Sequence, residues 1–250
     1  MTATLDKAHV VRSGRAILNR ASSACLPGMF TALCGPNGAG KTTALRVMTG
    51  SLVADEGRAL LDGTDIDKIK NVELARRRAV VSQTSALSFP FRVHEVVTMG
   101  RAPHFGQPGQ QRDDAVVAEA IEAMQLAPFV ERNYLTLSGG EKKRVDIARS
   151  LAQIWDAPPS GQSRWLFLDE PTNALDLKYQ IELMRRLAGL AADGWGIVAV
   201  LHDLHLVHEY ADDIWLFKDG SIIATGHTKD ILTPQSIQDT YELDAPYTLT

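Results

Sequence analysis

The residues best suited to chemistry lie in the segment GPNGAGKT, from Gly35 to Thr42, which fits the phosphate-loop pattern G-x-x-x-x-G-K-[ST]. An apolar run precedes the segment and a helix-patterned run follows it, as the motif requires. Glycines let the backbone turn its N–H groups inward around phosphates. Lys41 could then reach the β- and γ-phosphates, and the Thr42 hydroxyl could ligate Mg²⁺. The predicted triphosphate site comprises Gly35, Pro36, Asn37, Gly38, Ala39, Gly40, Lys41, Thr42 and Thr43.

Two carboxylates follow a second apolar run, in the segment RWLFLDEP. A strand that ends in Asp169 would put this carboxylate beside the Mg²⁺ that Thr42 also ligates. Glu170 would then be placed to act as a general base that polarises a water for attack on the γ-phosphate. The alternative is a pair of acidic residues at an ordinary strand end, and the phosphate loop upstream argues against it.

Two further side chains end other apolar runs and could reach the same phosphate. Gln83 ends RRRAVVSQ and could offer its amide to Mg²⁺ or to the attacking water, although an exposed loop glutamine has the same pattern. His202 follows GIVAVL, where a neutral imidazole could contact the γ-phosphate and orient the water. The predicted catalytic residues are Glu170, His202 and Gln83, and the predicted Mg²⁺ ligands are Thr42, Asp169 and Gln83.

A second potential anion site lies in YLTLSGGEKKRVDIARSLAQ. Ser138 and Glu141 have the spacing of a capping box at the start of a helix. Apolar residues between Val145 and Ala152 recur at helical spacing. The N-terminus of a helix carries free N–H groups that attract anions. The residues by themselves leave open which anion this helix would face.

Alternating strand and helix patterns predict an α/β core with parallel strands that position these side chains. Asp62-Gly63 and Asp219-Gly220 have the composition of hairpin turns. The first thirty residues indicate short strands and turns. From about Thr84 to Gln162 the pattern becomes helical, which predicts an inserted subdomain. We expect one domain over residues 1–250, with a nucleotide-binding core at 1–83 and 163–250 and the helical part at 84–162.

The composition is that of an ordinary globular protein, with 45% apolar and 22% charged residues. A net charge of −4 argues against nucleic acid as the main partner, because phosphate backbones bind surfaces rich in Lys and Arg. No apolar run is long enough to span a bilayer, and the first residues lack the apolar core of a signal peptide. We therefore expect a cytoplasmic chain in which Cys25 and Cys34 are free thiols.

The order and spacing of these motifs resemble those of the nucleotide-binding subunits of ABC transporters. The resemblance covers essentially the whole chain and rests on the phosphate loop, Gln83, LSGGE, WLFLDE, NALD (Asn173 to Asp176) and His202. It implies a P-loop NTPase core of the RecA type, with an antiparallel β subdomain and an inserted helical subdomain. It also implies ATP and Mg²⁺ as cofactors.

The resemblance further implies that two copies pack head to tail. Ser138 and its neighbouring glycines would then cap the γ-phosphate held by the phosphate loop of the other copy. Asp176 would lie at that interface and couple the two sites. The residues implied to face the partner's ATP are Leu137, Ser138, Gly139, Gly140 and Glu141.

Two positions depart from the family's pattern. The family stacks adenine on an aromatic residue of an early strand, and in HVVRSGRAIL the corresponding residue is Arg12, whose guanidinium can also stack on a ring. The family's S-A-L-D segment begins here with Asn173.

The segment SFPFRVHEVVTMGRAPHFG is similar to that of importers of ferric siderophores, cobalamin and heme, and the additional loop DAPPSGQS before the catalytic strand is similar to that of heme importers. The expected function is therefore to power heme import at the cytoplasmic face of a bacterial inner membrane. The implied partners are two integral-membrane permease subunits and, indirectly, a periplasmic heme-binding protein. Import of a ferric siderophore or cobalamin is the alternative.

The resemblance implies that Phe89, Pro90 and Phe91 lie where subunits of this group meet the permease. A place for Phe89 and Phe91 in the core of the helical subdomain is the alternative.

Two other classes compete with a transporter subunit. A soluble ABC ATPase that works on DNA or ribosomes usually carries paired cassettes or long coiled coils, and this chain has one cassette and no heptads. A small-molecule P-loop kinase would leave LSGGE without a role.

Overall fold

The computed structural model describes residues 1–83, 87–107, 110–245, 247 and 249. Their strands are β1 (Ala3–Arg12), β2 (Arg15–Cys25), β3 (Phe30–Cys34), β4 (Glu56–Leu61), β5 (Thr64–Asp65), β6 (Arg78–Val81), β7 (Trp165–Asp169), β8 (Gly196–Val200), β9 (Asp213–Lys218) and β10 (Ser221–His227). Their α-helices are α1 (Lys41–Met48), α2 (Asn71–Arg77), α3 (Val93–Thr98), α4 (Asp113–Ala123), α5 (Gly139–Gln153), α6 (Leu177–Ala192), α7 (Leu204–Tyr210), α8 (Thr228–Ile231) and α9 (Pro234–Tyr241). Short 3₁₀ turns cover Ile66–Lys68, Met99–His104, Gln110–Arg112, Ala127–Phe129 and Tyr134–Thr136.

The larger sheet has the strand order β10-β9-β3-β8-β7-β6. Its pairs from β9 to β6 are parallel, and β10 joins as an antiparallel hairpin strand. Every residue of β3, β7 and β8 is buried, which explains their continuous apolar sequences. Because the carboxyl ends of parallel strands share one edge, the phosphate loop after β3 lies near Asp169 at the end of β7 and His202 just after β8.

The smaller sheet is antiparallel, in the order β2-β1-β4-β5. The expectation of short strands in the first thirty residues is wrong, since β1 and β2 have 10 and 11 residues. Their pairing shifts register between Leu5 and Ala8 and again towards Val11, and Lys7 has a φ of 51°. These irregularities interrupt the alternation of apolar and polar residues by which a long strand is predicted.

Both predicted hairpin turns are confirmed. Asp62 and Gly63 have φ values of 50° and 77°, and Asp219 and Gly220 have values of 47° and 77°. Two consecutive left-handed residues match the right-handed twist of the flanking strands. The second turn joins β9 to β10 and lies against the phosphate loop, where the Gly220 N–H donates to the Ala39 carbonyl at 3.2 Å.

The helices α3, α4 and α5 lie between β6 and β7 along the chain. The helical pattern predicted for this part of the chain agrees with the burial of one face of each of the first two helices. Val93, Val96 and Val97 of α3 are buried, as are Val116, Val117, Ala120 and Ile121 of α4. Their side chains join one apolar cluster that also contains residues of β7, such as Leu166. The division of the chain at residues 84 and 162 stays a prediction, and Thr84 itself lies outside the described residues.

The two cysteines are free and buried, as predicted. Burial raises the pKa of the Cys34 thiol to about 12 and raises that of Cys25 still further. Among the helices of the described residues, none combines the length and the apolar character that crossing a bilayer requires.

Candidate nucleotide site and signature helix

The phosphate loop is pressed so closely against β9 and β2 that glycine is required at two positions. A Cβ atom on Gly35, which has a φ of 142°, would lie 2.2 Å from the Phe217 carbonyl oxygen. A Cβ atom on Gly40, which has a φ of 100°, would lie 2.7 Å from the Ile17 carbonyl oxygen. Gly40 is also the N-cap of α1, so its left-handed backbone turns the chain from the loop into the helix.

The Lys41 side chain is 5% exposed and curls back over the loop. Its Nζ donates to the carbonyl oxygens of Gly35 at 2.7 Å and Pro36 at 2.8 Å. An ammonium group has three N–H donors, so one stays available for a phosphate oxygen. Burial lowers the pKa of Lys41, and the negative charges of Glu170 and Asp169 oppose that shift.

Thr42 and Asp169 are brought together across 127 residues of sequence. The Thr42 hydroxyl donates to Asp169 Oδ1 at 3.0 Å. Burial raises the pKa of Asp169, and the hydrogen bond from Thr42 opposes that rise. A hydroxyl and a carboxylate at this distance form an all-oxygen pair of the kind that Mg²⁺ prefers, so these residues fit the ion.

The Glu170 carboxylate is held by three donors. His202 Nε2 lies 2.8 Å from Oε1, while the amides of Gln83 and Asn173 donate to Oε2 at 2.7 Å and 2.5 Å. Burial raises the pKa of Glu170, but the hydrogen bonds from His202 and Gln83 and the charge of Lys41 leave it below the usual value. The structure thus gathers the three predicted catalytic side chains, whose roles stay predictions.

Glu170 has a backbone φ of 51°, a left-handed conformation that is uncommon outside glycine. Its N–H still donates to the Val200 carbonyl at 3.2 Å, as the ladder of β7 and β8 ends. The residue therefore leaves the strand at the point where its side chain meets His202. Strained backbone of this kind is found at functional sites.

At the start of α5 the predicted capping box is confirmed. The Ser138 hydroxyl accepts from the Glu141 N–H at 3.3 Å, and Glu141 Oε2 accepts from the Ser138 N–H at 2.7 Å. The bond from the Ser138 backbone is the main reason why the pKa of Glu141 is lowered. Leu137 is buried, whereas Ser138 and Gly139 are exposed.

The NALD segment touches both of these regions. A Cβ atom on Gly140 would lie 3.1 Å from the Ala174 carbonyl oxygen, so this glycine of the LSGGE segment packs against the NALD loop. At its end, Asp176 caps α6, accepting from the Tyr179 N–H at 3.1 Å. The coupling role implied for Asp176 stays a prediction. Its capping role is a local one that could have been predicted from its place before the helix.

A family model described as "ABC transporter" matches residues 18–173 of this sequence. The chain belongs to the ABC transporter family. It is an ATP-binding, ATP-hydrolysing subunit of that family, with the mixed α/β fold of its cassettes.

One similar protein is the hemin import ATP-binding protein HmuV of Rhizobium meliloti (strain 1021), which is 42% identical over 90% of this chain and 86% of its own length. A solved nucleotide-free ATP-binding cassette of an ABC transporter superposes with a TM-score of 0.80 at 25% identity, covering 95% of this chain and 98% of that one. The dimeric structure of MJ0796, a bacterial ABC transporter cassette, superposes with a TM-score of 0.77 at 26% identity, covering 90% of this chain and 98% of that one.

In this ABC cassette, Arg12 is engaged with its neighbours. Its Nη1 donates to the Val11 carbonyl at 2.7 Å and lies 3.5 Å from Asp55 Oδ2. Adenine stacking by Arg12 stays a prediction. Ile17 lines the cavity of about 150 Å³ beside the phosphate loop, with Thr43, Glu170 and His202. Ile17 was not predicted, because the register shifts between β1 and β2 affect which side chain faces the loop.

Two further residues near the site were not predicted. Asn173, noted only as a departure from the family's pattern, donates to the Glu170 carboxylate. Lys143 of α5 is buried, and its Nζ donates to the Ser82 carbonyl at 3.1 Å, next to Gln83. Burial lowers the pKa of Lys143, and the charges of Asp146, Asp169 and Glu170 oppose this. Lys143 lies four residues before the buried Ile147 and therefore on the same face of α5, so its burial could have been predicted from the sequence.

The two phenylalanines that precede α3 have different environments. Phe89 is 67% exposed, so its predicted alternative place in the core is wrong. Phe91 is partly buried and packs on the apolar cluster of the helices. Their rings lie 6.2 Å apart between centroids.

Proposed function

We propose that this chain is the ATPase of a heme importer. The observation that carries the proposal is the similarity to a protein named for hemin import, at 42% identity over nearly the whole of both chains. The additional loop before β7, whose sequence resembles that of heme importers, is anchored in the fold. Its Asp156 accepts from the buried Arg101 at 2.6 Å.

The proposed motor is a head-to-tail pair of copies with ATP between them. The exposure of Ser138 and Gly139 supports this arrangement, because the first N–H groups of α5 then face outward from the chain. The likeness to a dimeric cassette supports it as well. In this arrangement each triphosphate lies between one copy's phosphate loop and the start of α5 in the other copy.

The chemistry proposed for each site follows from the contacts of the chain's own residues. Lys41 presents its remaining N–H donor to a β- or γ-phosphate oxygen, while Thr42 and Asp169 would hold Mg²⁺. The ion, when bound, neutralises charge that develops on the phosphate oxygens. Glu170 accepts the proton of the attacking water on its carboxylate. His202, Gln83 and Asn173 orient that carboxylate through the bonds that they make to it.

The proposed partners are two permease subunits at the cytoplasmic face of a bacterial inner membrane, supplied by a periplasmic heme-binding protein. The exposed Phe89, in the segment where the family meets its permease, supports a contact with the membrane subunits. Ferric siderophore or cobalamin import shares this architecture and differs only in the permease and the binding protein.

The test is ATPase stimulation in proteoliposomes. The chain is reconstituted in parallel with candidate permeases for heme, ferric siderophore and cobalamin, each given its own loaded binding protein. We expect stimulation with the heme set alone. Stimulation with either of the other sets, and none with the heme set, would show that the cargo is the siderophore or cobalamin and not heme. The Glu170→Gln variant measures the background ATPase activity.

A further inference from the structure

The C-terminal helix α9 makes a direct hydrogen bond to the phosphate loop. Its last residue, Tyr241, lies 206 positions after Gly35, and the Gly35 N–H donates to the Tyr241 hydroxyl oxygen at 3.0 Å. Gly35 is the first residue of the loop. A backbone N–H removed from solvent needs an acceptor, and the tyrosine supplies one that the loop lacks.

The position of the Tyr241 hydroxyl is set by contacts on both sides of the residue. Lys218 Nζ, at the end of β9, donates to the Asp239 carbonyl at 2.7 Å and lies 2.9 Å from Glu242 Oε1. Ile237 and the Thr240 side chain of the same helix are buried. Burial raises the pKa of Tyr241, so its hydroxyl stays neutral over the working pH range. The helix end is therefore fixed to the strand that flanks the loop.

Gly35 connects this helix end to the phosphate-binding lysine. Its N–H is bonded to Tyr241, and its carbonyl oxygen accepts from Lys41 Nζ at 2.7 Å. Its backbone lies directly against Phe217, because a Cβ atom on Gly35 would be 2.2 Å from the Phe217 carbonyl oxygen, and its φ of 142° favours glycine. A shift of Gly35 would therefore change the direction of the Lys41 ammonium group.

We propose that Tyr241 is a positioning residue for the phosphate loop, which fixes Gly35 and, through Gly35, the ammonium group that meets the triphosphate. In this proposal Tyr241 acts through its bond to Gly35. The proposal goes beyond the import function and does not depend on it, because ATP binding by the isolated chain is sufficient to test it.

The experiment compares Tyr241→Phe with a matched control, Tyr210→Phe. Tyr210 is also the last residue of a helix, partly buried against the same apolar cluster, and it lies outside the loop's contacts. For each variant the melting temperature, the affinity for ATP by displacement of a fluorescent analogue, and KM and kcat of hydrolysis are measured. We expect Tyr241→Phe to weaken ATP binding and to raise KM roughly fivefold, because the Gly35 N–H loses its acceptor. The kcat should stay within about twofold of the wild type.

A purely structural role predicts a different result. In that case Tyr241→Phe would lower the melting temperature and leave the affinity for ATP and KM unchanged, which would overturn the proposal. Equal changes of KM in Tyr241→Phe and Tyr210→Phe would overturn it as well. If Tyr241→Phe does not fold, Lys218→Met serves as the second variant, since it frees the helix end while keeping the hydroxyl. A raised KM for ATP in Lys218→Met supports the proposal, and a wild-type KM contradicts it.

Discussion

At the phosphate loop, Lys41, Thr42 and Glu170 find their partners inside the same chain, whereas at the start of α5 Ser138 and Gly139 face outward. The first region is assembled from the ends of several strands, and its charged groups are bonded to backbone carbonyls and polar side chains of the same chain. The second consists of one helix end that is capped within its own first turn, by the reciprocal bonds of Ser138 and Glu141. The difference supports the proposal that the phosphate loop acts within its own chain, whereas the start of α5 acts on a second copy.

The two regions also differ in what a substitution should cost. A buried polar group that loses its partner costs about 1–3 kcal/mol, because it can no longer return to water. Loss of a helix cap at the surface lowers the free energy of unfolding by about 1 kcal/mol. Changes at the phosphate loop should therefore affect both the fold and turnover, whereas changes at Ser138 should affect turnover far more than the fold.

The largest expected effect is that of Glu170→Gln. The glutamine keeps the shape of the site and cannot accept the proton of the water, so turnover should fall by about 10²–10⁴-fold while ATP still binds. Phosphate release measures turnover, and gel filtration with ATP should show an accumulated dimer. The exposed Glu209, changed to Gln, is the control and should behave as wild type. Wild-type turnover in Glu170→Gln would remove this residue as the general base.

The comparison between the two regions is tested by mixing two inactive chains, Lys41→Ala and Ser138→Arg. If each site combines one copy's phosphate loop with the other copy's Ser138, one site of a mixed dimer carries both substitutions and the other site carries neither. An equal mixture should then recover about a quarter of wild-type turnover, since half of the dimers are mixed and each has one good site.

The control for that mixture is an equal mixture of Lys41→Ala with wild type. It should give about half of wild-type turnover if one competent site supports hydrolysis, and about a quarter, from the wild-type dimers alone, if both sites are needed. If the control gives about half of wild-type turnover and the Lys41→Ala plus Ser138→Arg mixture stays at the level of each variant alone, the sites are not shared.

Local patterns were sufficient to predict the features that short segments determine. The phosphate loop, the Ser138 capping box and the Asp219-Gly220 turn follow from residues within eight positions of one another, and the structure places each of them as expected. Contacts between distant segments were not predictable in the same way. The Asn173 amide on Glu170 and the Tyr241 hydroxyl on Gly35 depend on where loops and helix ends pack, and residue type alone does not determine that.

A smaller effect is expected at Asn173. Asn173→Ala removes one of the three donors that hold the Glu170 carboxylate, and turnover should fall roughly tenfold with ATP affinity unchanged. Asn173→Ser restores the residue usual in the family and should retain more activity than the alanine variant. Steady-state kinetics measures both, and an alanine variant as active as wild type would show that Asn173 does not orient the base.

The smallest effect is expected in the stability of the isolated chain. Ser138→Ala should lower the free energy of unfolding by about 1 kcal/mol through loss of the cap, as measured by urea denaturation. Because the pKa of Glu141 is lowered on folding, its contribution is present above the ordinary value near 4.5 and is lost as the pH falls through the lowered value. Glu141→Gln, which can still cap the helix, should remove this pH dependence. If the difference in stability between wild type and Glu141→Gln did not vary with pH, Glu141 would not be the source of the pH dependence.

The central claim is tested most directly by the structure of the Glu170→Gln protein bound to Mg²⁺ and ATP. The account predicts a two-fold dimer in which Ser138 and Gly139 of each copy contact the γ-phosphate seated on the other copy's Gly35–Thr43 loop. A nucleotide-bound structure with Ser138 facing solvent, remote from every phosphate, would contradict it.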